Sequence, residues 1–346
     1  MKNILVTGGA GFIGSAFVRM MTARYPQYRI IVYDKLTYAG NLDNLLPVSD
    51  EPNYHFFRGD IASRADVRQA LQTHEIDTVV NFAAESHVDR SIIDADAFMH
   101  TNAIGVYILL EEARTHGIER FLQVSTDEVY GSVPEGESVE TDPLAPRNPY
   151  SAAKAGGELM VRAYHETHGM NTVITRGSNT FGPYQYPEKL LPFFITEAID
   201  DKPLPLYGDG MQVRDWLYVE DHVSGIDLAL HRGEPGGIYN IAGEDLRHNL
   251  HVAQDMLAKL DKPTTLLRHV PDREGHDLRY AMNCDKLRGL GWSQAHQWDM
   301  ALEQTVRWFR DNEWWWRKIK TGEYLEYYKR QYAARLAAAD THPTDT

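Results

Sequence analysis

Apolar, β-branched runs recur along the first half of the chain at 4–7, 30–33, 54–58, 78–82, 121–125 and 172–176. Between them lie stretches with apolar positions every three to four residues, near 12–24, 63–73, 95–116 and 150–168. Near-continuous apolar strands alternating with helix-period segments predict an α/β fold: a doubly wound parallel sheet covered by helices on both faces. Ligands of such a sheet bind beyond the carboxyl ends of its strands, so functional motifs are expected just after the apolar runs.

After about residue 180 the rhythm loosens into loops punctuated by proline and glycine, which predicts a smaller, mixed α/β unit. A helix over 215–230 and a strand over 237–241 read as a return to the main sheet. The expected division is a Rossmann domain at 1–178, with 213–242 also assigned to it, a second domain at 179–212 and 243–333, and a frayed tail at 334–346. Net charge over the 346 residues is −14, which disfavours nucleic acid and anionic membranes as partners. The lone cysteine, Cys284, allows no internal disulfide, and the opening MKNILVTGG resembles neither a secretory signal nor a membrane span, so the expected location is the cytoplasm. The nearest approach to a metal helix, His165-Glu166-Thr167-His168, is one residue short of the HExxH spacing, and no metal is expected.

The first motif is Thr7-Gly8-Gly9-Ala10-Gly11-Phe12-Ile13-Gly14, between a strand and a helix. Its glycines let backbone approach a pyrophosphate, and the helix amino terminus offers free N–H donors and partial positive charge. Asp34 ends the second strand about 20 residues later, where a carboxylate accepts from both ribose hydroxyls and repels a 2′-phosphate. NAD is therefore the expected cofactor, against a bare strand-to-helix turn as the alternative. Asp60-Ile61 is placed at the adenine, and Ala83-Ala84-Glu85-Ser86-His87 on the nicotinamide side.

Tyr150 and Lys154 are four apart and share a helix face, so the ammonium is expected to lower the phenol's pKa and make it a base for an alcohol proton. Ser125 or Thr126 supplies a hydroxyl beside the tyrosine. Asp127-Glu128 goes beyond what an alcohol dehydrogenase needs: an adjacent acid and carboxylate suit removal of water from a sugar, one protonating the departing hydroxyl and the other taking a carbon-bound proton. The bland alternative for this pair is a solvated turn.

With these residues in view, the chain resembles the extended short-chain dehydrogenase/reductases, and within them the nucleotide-sugar 4,6-dehydratases. The likeness spans nearly the whole sequence, through TGGAGFIG at 7–14, DKLTYAGN at 34–41, AAESHVDRS at 83–91, STDEVYGS at 125–132, YSAAK at 150–154, GPYQYPEKLLP at 182–192, LPLYGDG at 204–210, VRDW at 213–216 and DREGHDLRYA at 272–281. It implies bound NAD regenerated in each turnover and a dTDP-glucose substrate. In the implied reaction Tyr150, helped by Lys154 and Thr126, takes the 4-hydroxyl proton, Glu128 the carbon 5 proton, and Asp127 protonates the carbon 6 hydroxyl. It adds Lys35, Leu36, Thr37, Thr101 and Thr180 to the cofactor site. It surrounds the sugar nucleotide with Ser86, Thr126, Asn179, Lys189, Leu190, Pro205, Leu206 and Tyr207, with Arg214, Asn249, Asp272, Arg273 and His276 at the diphosphate and base. It also implies a homodimer joined through a four-helix bundle of the 95–116 segment and the Tyr150 helix.

One departure stands out. The family shows two asparagines and a tyrosine before Gly-Pro, whereas this chain has Asn179-Thr180-Phe181, which puts the second asparagine's cofactor contact in doubt. Trp314-Trp315-Trp316, beside basic residues, reads as helical core in preference to a base-stacking platform. The competing functions are a nucleotide-sugar epimerase, a dehydratase acting on UDP-glucose or another hexose nucleotide, and a non-catalytic NAD-binding module.

Overall fold

The structure is a computed structural model and describes residues 1–272, 275–333, 335 and 336. The expected frayed tail falls almost entirely outside them. Among the described residues the strands are β1 (Asn3–Thr7), β2 (Arg29–Asp34), β3 (Tyr54–Arg58), β4 (Thr78–Asn81), β5 (Arg120–Thr126), β6 (Thr172–Gly177), β7 (Asn179–Phe181), β8 (Leu204–Tyr207), β9 (Val213–Tyr218), β10 (Gly237–Ile241), β11 (Leu246–His248) and β12 (Leu267–Val270). A parallel sheet runs in the order β10-β6-β5-β4-β1-β2-β3. The chain winds outward from β1 to β3, then returns to β4 on the other side of β1, and that reversal opens the crevice where a ligand can sit.

Helices α1 (Phe12–Arg24), α2 (Arg64–Thr73), α3 (Val88–Ile93), α4 (Asp96–Met99), α5 (Val106–His116) and α6 (Pro149–His168) make the crossovers, followed by α7 (Leu190–Ile199) and α8 (Val219–Arg232). A π-helical turn at His100–Gly105 joins α4 to α5. Helices α1 and α8 pack together, as do α2, α5 and α6. Both faces of the sheet are thus covered, which explains the unbroken hydrophobicity of the strands: Ile4 and Val6 point into the core with Phe17 and Ile226, and Leu5 into the core with Leu109 and Val161.

Two polar devices fix the sheet near the crevice. A row of buried side chains crosses three neighbouring strands, with Thr7 bonded to Asn81 and the Asn81 amide donating to Gln123 Oε1 at 2.8 Å. Behind β6, Arg176 and Glu158 form a fully buried ion pair. Arg176 also donates to the Tyr130 hydroxyl, which in turn donates to Asn240 at 2.8 Å. This network ties the turn after β5 to α6, the helix that carries Tyr150. Removing one partner of such a pair leaves a buried charge unmatched, so Glu158→Ala is expected to cost about 3–5 kcal/mol, read from the shift of a denaturant midpoint.

The helix expected from Asp215 begins only at Val219; residues 213–218 are strand β9. The Asp215 carboxylate accepts the N–H of Asp245 at 3.0 Å and so serves a loop, and β9 sits between β11 and β7 in a separate three-stranded sheet. The chain rejoins the main sheet with β10, beside β6. A second core gathers α7, α9 (Asn249–Lys259), α11 (Trp298–Asp311) and α12 (Glu313–Ile319), while α10 (Asp285–Gly289) packs on β10 and adds Leu287 to the first core. Trp315 and Trp316 are buried in that core while Trp314 is half exposed, so the tryptophan run is packing, as the sequence suggested. Among the described residues no helix is long and apolar enough to cross a membrane.

Candidate active site

The crevice at the carboxyl ends of β1, β4 and β5 opens into a cleft of about 360 Å³. Its first wall is the glycine loop. Gly8 has φ +65°, and a Cβ there would stand 2.6 Å from the Ala83 nitrogen, so only glycine lets the loops after β1 and β4 meet. Gly14 is equally constrained, its Cβ position lying 2.3 Å from the Gly8 carbonyl oxygen. Helix α1 then starts at Gly11 without a side-chain cap, leaving its first N–H groups for an anion.

Asp34 is buried at the end of β2, accepting the N–H of Ala10 at 3.0 Å and of Leu36 at 2.8 Å. Burial raises its pKa, and those two backbone donors oppose the rise. A carboxylate has lone pairs for about two further donors, matching the two hydroxyls of a ribose. Lys35, beside it, is committed to Asp60 at 2.6 Å. Despite burial, that lysine holds the Asp60 carboxyl below its ordinary pKa. The cradle, the uncapped helix and the free carboxylate sites fit an adenine dinucleotide with an unphosphorylated ribose.

The catalytic candidates converge at the other end. Thr126 closes β5, and its hydroxyl bonds both the Tyr150 phenol and Asp127 Oδ1, the latter at 3.0 Å. The Glu128 N–H caps back onto Thr126 Oγ1 at 3.3 Å, which starts a tight helical turn and turns both acids toward the cleft. Asp127 is buried, and its Oδ2 has no protein partner. Burial, then the neighbouring Glu128 charge, pushes the Asp127 carboxyl up to about 8. It therefore holds its proton at neutral pH and can act as an acid.

The tyrosine and lysine differ from the sequence expectation. Burial and the Glu128 charge raise the Tyr150 pKa well above the ordinary phenol range, and the Lys154 ammonium is not among the groups that lower it. Lys154 instead donates to the Val124 carbonyl at 2.7 Å, and burial lowers its own pKa to about 8. Desolvation therefore sets the direction for both groups, and the ammonium is anchored to the carbonyl of the strand and not to the phenol.

Nearly all the expected cofactor residues line this cleft: Gly8, Gly11, Phe12, Ile13, Gly14, Asp34, Lys35, Thr37, Asp60, Ile61, Ala83, Ala84, Ser86, Thr101, Tyr150, Lys154 and Thr180. Leu36 stands behind the wall, its side chain packed in the core beneath α1 while its N–H serves Asp34. Asn179, Lys189 and Leu190 lie where the cleft meets a second chamber of about 150 Å³, lined also by Pro205, Leu206, Tyr207, Arg214, Asn249 and His276. The Asn249 amide oxygen is buried there without a partner. Asp272 supports the chamber from outside by holding His276 Nδ1 at 2.6 Å and the Gln212 amide at 3.0 Å. Arg273 lies outside the described residues. Arg214 stacks on Tyr280 at 4.3 Å and donates to the Asp277 carbonyl at 2.9 Å, which orients its guanidinium.

A family model described as GDP-mannose 4,6 dehydratase matches residues 5–305. The chain belongs to this family. It is 48% identical over 324 residues to the dTDP-glucose 4,6-dehydratase of Streptomyces niveus, covering 92% of this chain and 96% of that one. The crystal structure of DesIV, the dTDP-glucose 4,6-dehydratase of Streptomyces venezuelae, with NAD and dTDP bound, superposes with a TM-score of 0.90 at 47% identity over 92% of this chain and all of that one. A UDP-glucose 4-epimerase from Thermus thermophilus in complex with NAD also superposes, at 0.84 and 31% identity over 90% of this chain and 99% of that one. The architecture thus serves two chemistries among the structures it resembles, so the reaction has to be read from the site and not from the fold.

Several wall residues of this 4,6-dehydratase family member escaped sequence reasoning. Glu188 borders both chambers, accepting the Tyr38 hydroxyl at 3.0 Å and Arg90 Nε at 3.1 Å, while Lys189 donates to the Ser86 carbonyl at 2.7 Å. These contacts join the loops after β2 and β4 to the loop before α7. Trp216, Tyr280 and Tyr332 line the second chamber as well. Tyr280 lies within a motif already noticed, but nothing in the local pattern around Tyr332 marks it, because a chain separation of more than 100 residues brings it to Tyr207.

Proposed function

We infer that the protein is an NAD-dependent hydro-lyase that converts dTDP-glucose to dTDP-4-keto-6-deoxy-glucose and water. One observation carries the reading beyond an oxidoreductase: a buried Asp127, its Oδ2 without a protein partner, adjoins Glu128, and both face the cleft beside the Tyr150–Thr126 pair. Bound NAD supplies the acceptor for a hydride from carbon 4 and gives it back at carbon 6. Tyr150 takes the 4-hydroxyl proton as a phenolate held by the Thr126 hydroxyl, with the positive nicotinamide of bound NAD offsetting the burial that raises the phenol's pKa and Lys154 assigned a supporting charge on the resemblance alone. The ketone formed acidifies the carbon 5 proton, which Glu128 accepts. Asp127 delivers its proton to the carbon 6 hydroxyl, which leaves as water; as hydride returns to carbon 6, Glu128 gives a solvent-exchanged proton back to carbon 5, and the proton taken by Tyr150 is lost to solvent as Asp127 regains one. The second chamber is assigned to the diphosphate and thymine, with Arg214, Asn249 and His276 as its polar contacts; we assign Arg273 to the diphosphate on the resemblance alone.

Incubation with dTDP-glucose in heavy water should give a product lighter by one water and deuterated at carbon 5. Unchanged mass with inverted stereochemistry would select the epimerase, and NAD binding without turnover of any hexose nucleotide the non-catalytic module. A side-by-side measurement with UDP-glucose, GDP-mannose and CDP-glucose tests the base.

We take the enzyme to be a cytoplasmic homodimer. The single thiol, Cys284, can form no internal disulfide, which suits a reducing compartment; it donates to Glu244 and burial pushes it up to about 12. For the dimer, Ile93, Met99, Ile104 and Leu159 are each close to half exposed on α3, α4, the π-helical turn and α6. An apolar face of this kind on adjoining helices suits burial against its own copy. Ile104→Glu combined with Leu159→Glu should halve the mass found by sedimentation, while a persistent dimer would place the interface elsewhere.

A further inference from the structure

Where the family pattern has an asparagine, Thr180 uses its side chain within the protein. Its hydroxyl donates to the Ser178 carbonyl at 3.1 Å and bonds His222 Nδ1 at 2.8 Å. Since a hydroxyl has one proton, a Thr180 that gives it to Ser178 must accept from Nδ1–H, which leaves Nε2 of His222 with its lone pair. At the same time the Gln185 amide nitrogen donates to the Thr180 carbonyl at 2.9 Å, which turns Gln185 Oε1 the other way. His222 Nε2 and Gln185 Oε1 are both buried acceptors without a hydrogen-bond partner, on side chains that line the cleft.

Their position in the fold says which part of a dinucleotide they meet. The Cε1–Nε2 edge of His222 rests on Gly177, where a Cβ would stand 2.4 Å from the ring. Gly177 is the direct partner of Thr126 across β5 and β6, so this edge lies one strand spacing from the hydroxyl that touches Tyr150. The glycine loop after β1 and Asp34 at the end of β2, which suit the pyrophosphate and adenosine, lie three and four strands away from β6, on the far side of the crevice. Two unpartnered acceptors on side chains anchored to the same threonine match a group with two donors.

We propose that His222 and Gln185, both anchored on Thr180, bind the carboxamide amino group of the nicotinamide and so fix which face of the ring is turned toward the sugar. Burial holds His222 down at about 3, so the ring stays neutral and its acceptor is available throughout the working pH range. The proposal rests on NAD being the cofactor, and it replaces the missing asparagine amide with two side chains positioned by the threonine.

The probe is 3-acetylpyridine adenine dinucleotide, in which a methyl ketone replaces the amide and the two N–H donors are gone. With the resident cofactor removed, the wild-type chain should bind NAD+ about ten- to a hundredfold more tightly than the analogue by calorimetry, the range expected when buried acceptors lose their donor. His222→Phe and Gln185→Met should each reduce that ratio several-fold, mainly by weakening NAD+. A ratio unchanged in Gln185→Met and in a folded His222→Phe overturns the assignment; if His222→Phe does not fold, Gln185→Met decides alone. Failure of the wild-type chain to bind either dinucleotide would instead remove the cofactor reading on which the proposal stands.

Discussion

Tyr150→Phe is expected to stop turnover before any water is lost, lowering kcat by about 10²–10⁴-fold, the range for loss of a positioned general base. The ring should keep its place, since Tyr150 packs edge-on to Phe98 at 6.3 Å in the buried group that includes Val88 and Ala153. Only the oxygen in contact with Thr126 disappears. Dinucleotide and sugar nucleotide should still bind, while the near-ultraviolet absorbance of a reduced nicotinamide should fail to develop on mixing with dTDP-glucose. Its appearance at the wild-type rate would remove the phenol as the base.

Asp127→Asn should produce a different failure. The amide fills the same space but cannot deliver a carboxylic proton, so oxidation at carbon 4 proceeds and water loss slows by about 10²–10⁴-fold. The 4-keto-glucose nucleotide with reduced cofactor should accumulate and be visible by rapid quenching. If nucleotide binding were abolished instead, the acid role would be wrong. The pH dependence has a definite sign. Asp127 acts as the protonated acid and its carboxyl is raised to about 8, so water loss should fall away as pH rises through that value. Lys154, lowered to about 8, deprotonates over the same range but acts in the oxidation step, so single-turnover measurements of the two steps separate them. The same burial makes Asp127 a stability term: its folded pKa lies above the unfolded one, so its contribution is fully present below about pH 4 and is lost as pH rises through about 8.

The main sheet and the chemical end of the cleft were legible because their signals are local. Ile4, Leu5 and Val6 form an unbroken apolar run since both faces of β1 are covered, and Asp127 and Glu128 follow directly on β5. Asp215 misled because its carboxylate looks like a polar helix start, whereas it is satisfied by backbone across a loop. The Tyr150–Lys154 spacing correctly put both residues at the cleft, but spacing carries no information on desolvation, which here raises one group and lowers the other. Glu188 lay inside the 182–192 motif without being singled out, whereas Tyr332 and His222 were invisible because each reaches the site through contacts far apart in sequence.

The contact between Trp315 and Asn44 shows how far that principle extends. The indole N–H donates to the Asn44 side chain at 2.9 Å across 271 residues, and the Asn44 amide donates to the Ala10 carbonyl inside the glycine loop, also at 2.9 Å. A growing chain emerges from the ribosome amino end first, so the glycine loop is made well before α12, and its bracing is complete only once that helix, 271 residues beyond Asn44, has been made. A nascent chain released short of α12 would carry Asp127, Glu128 and Tyr150 with its dinucleotide loop unbraced.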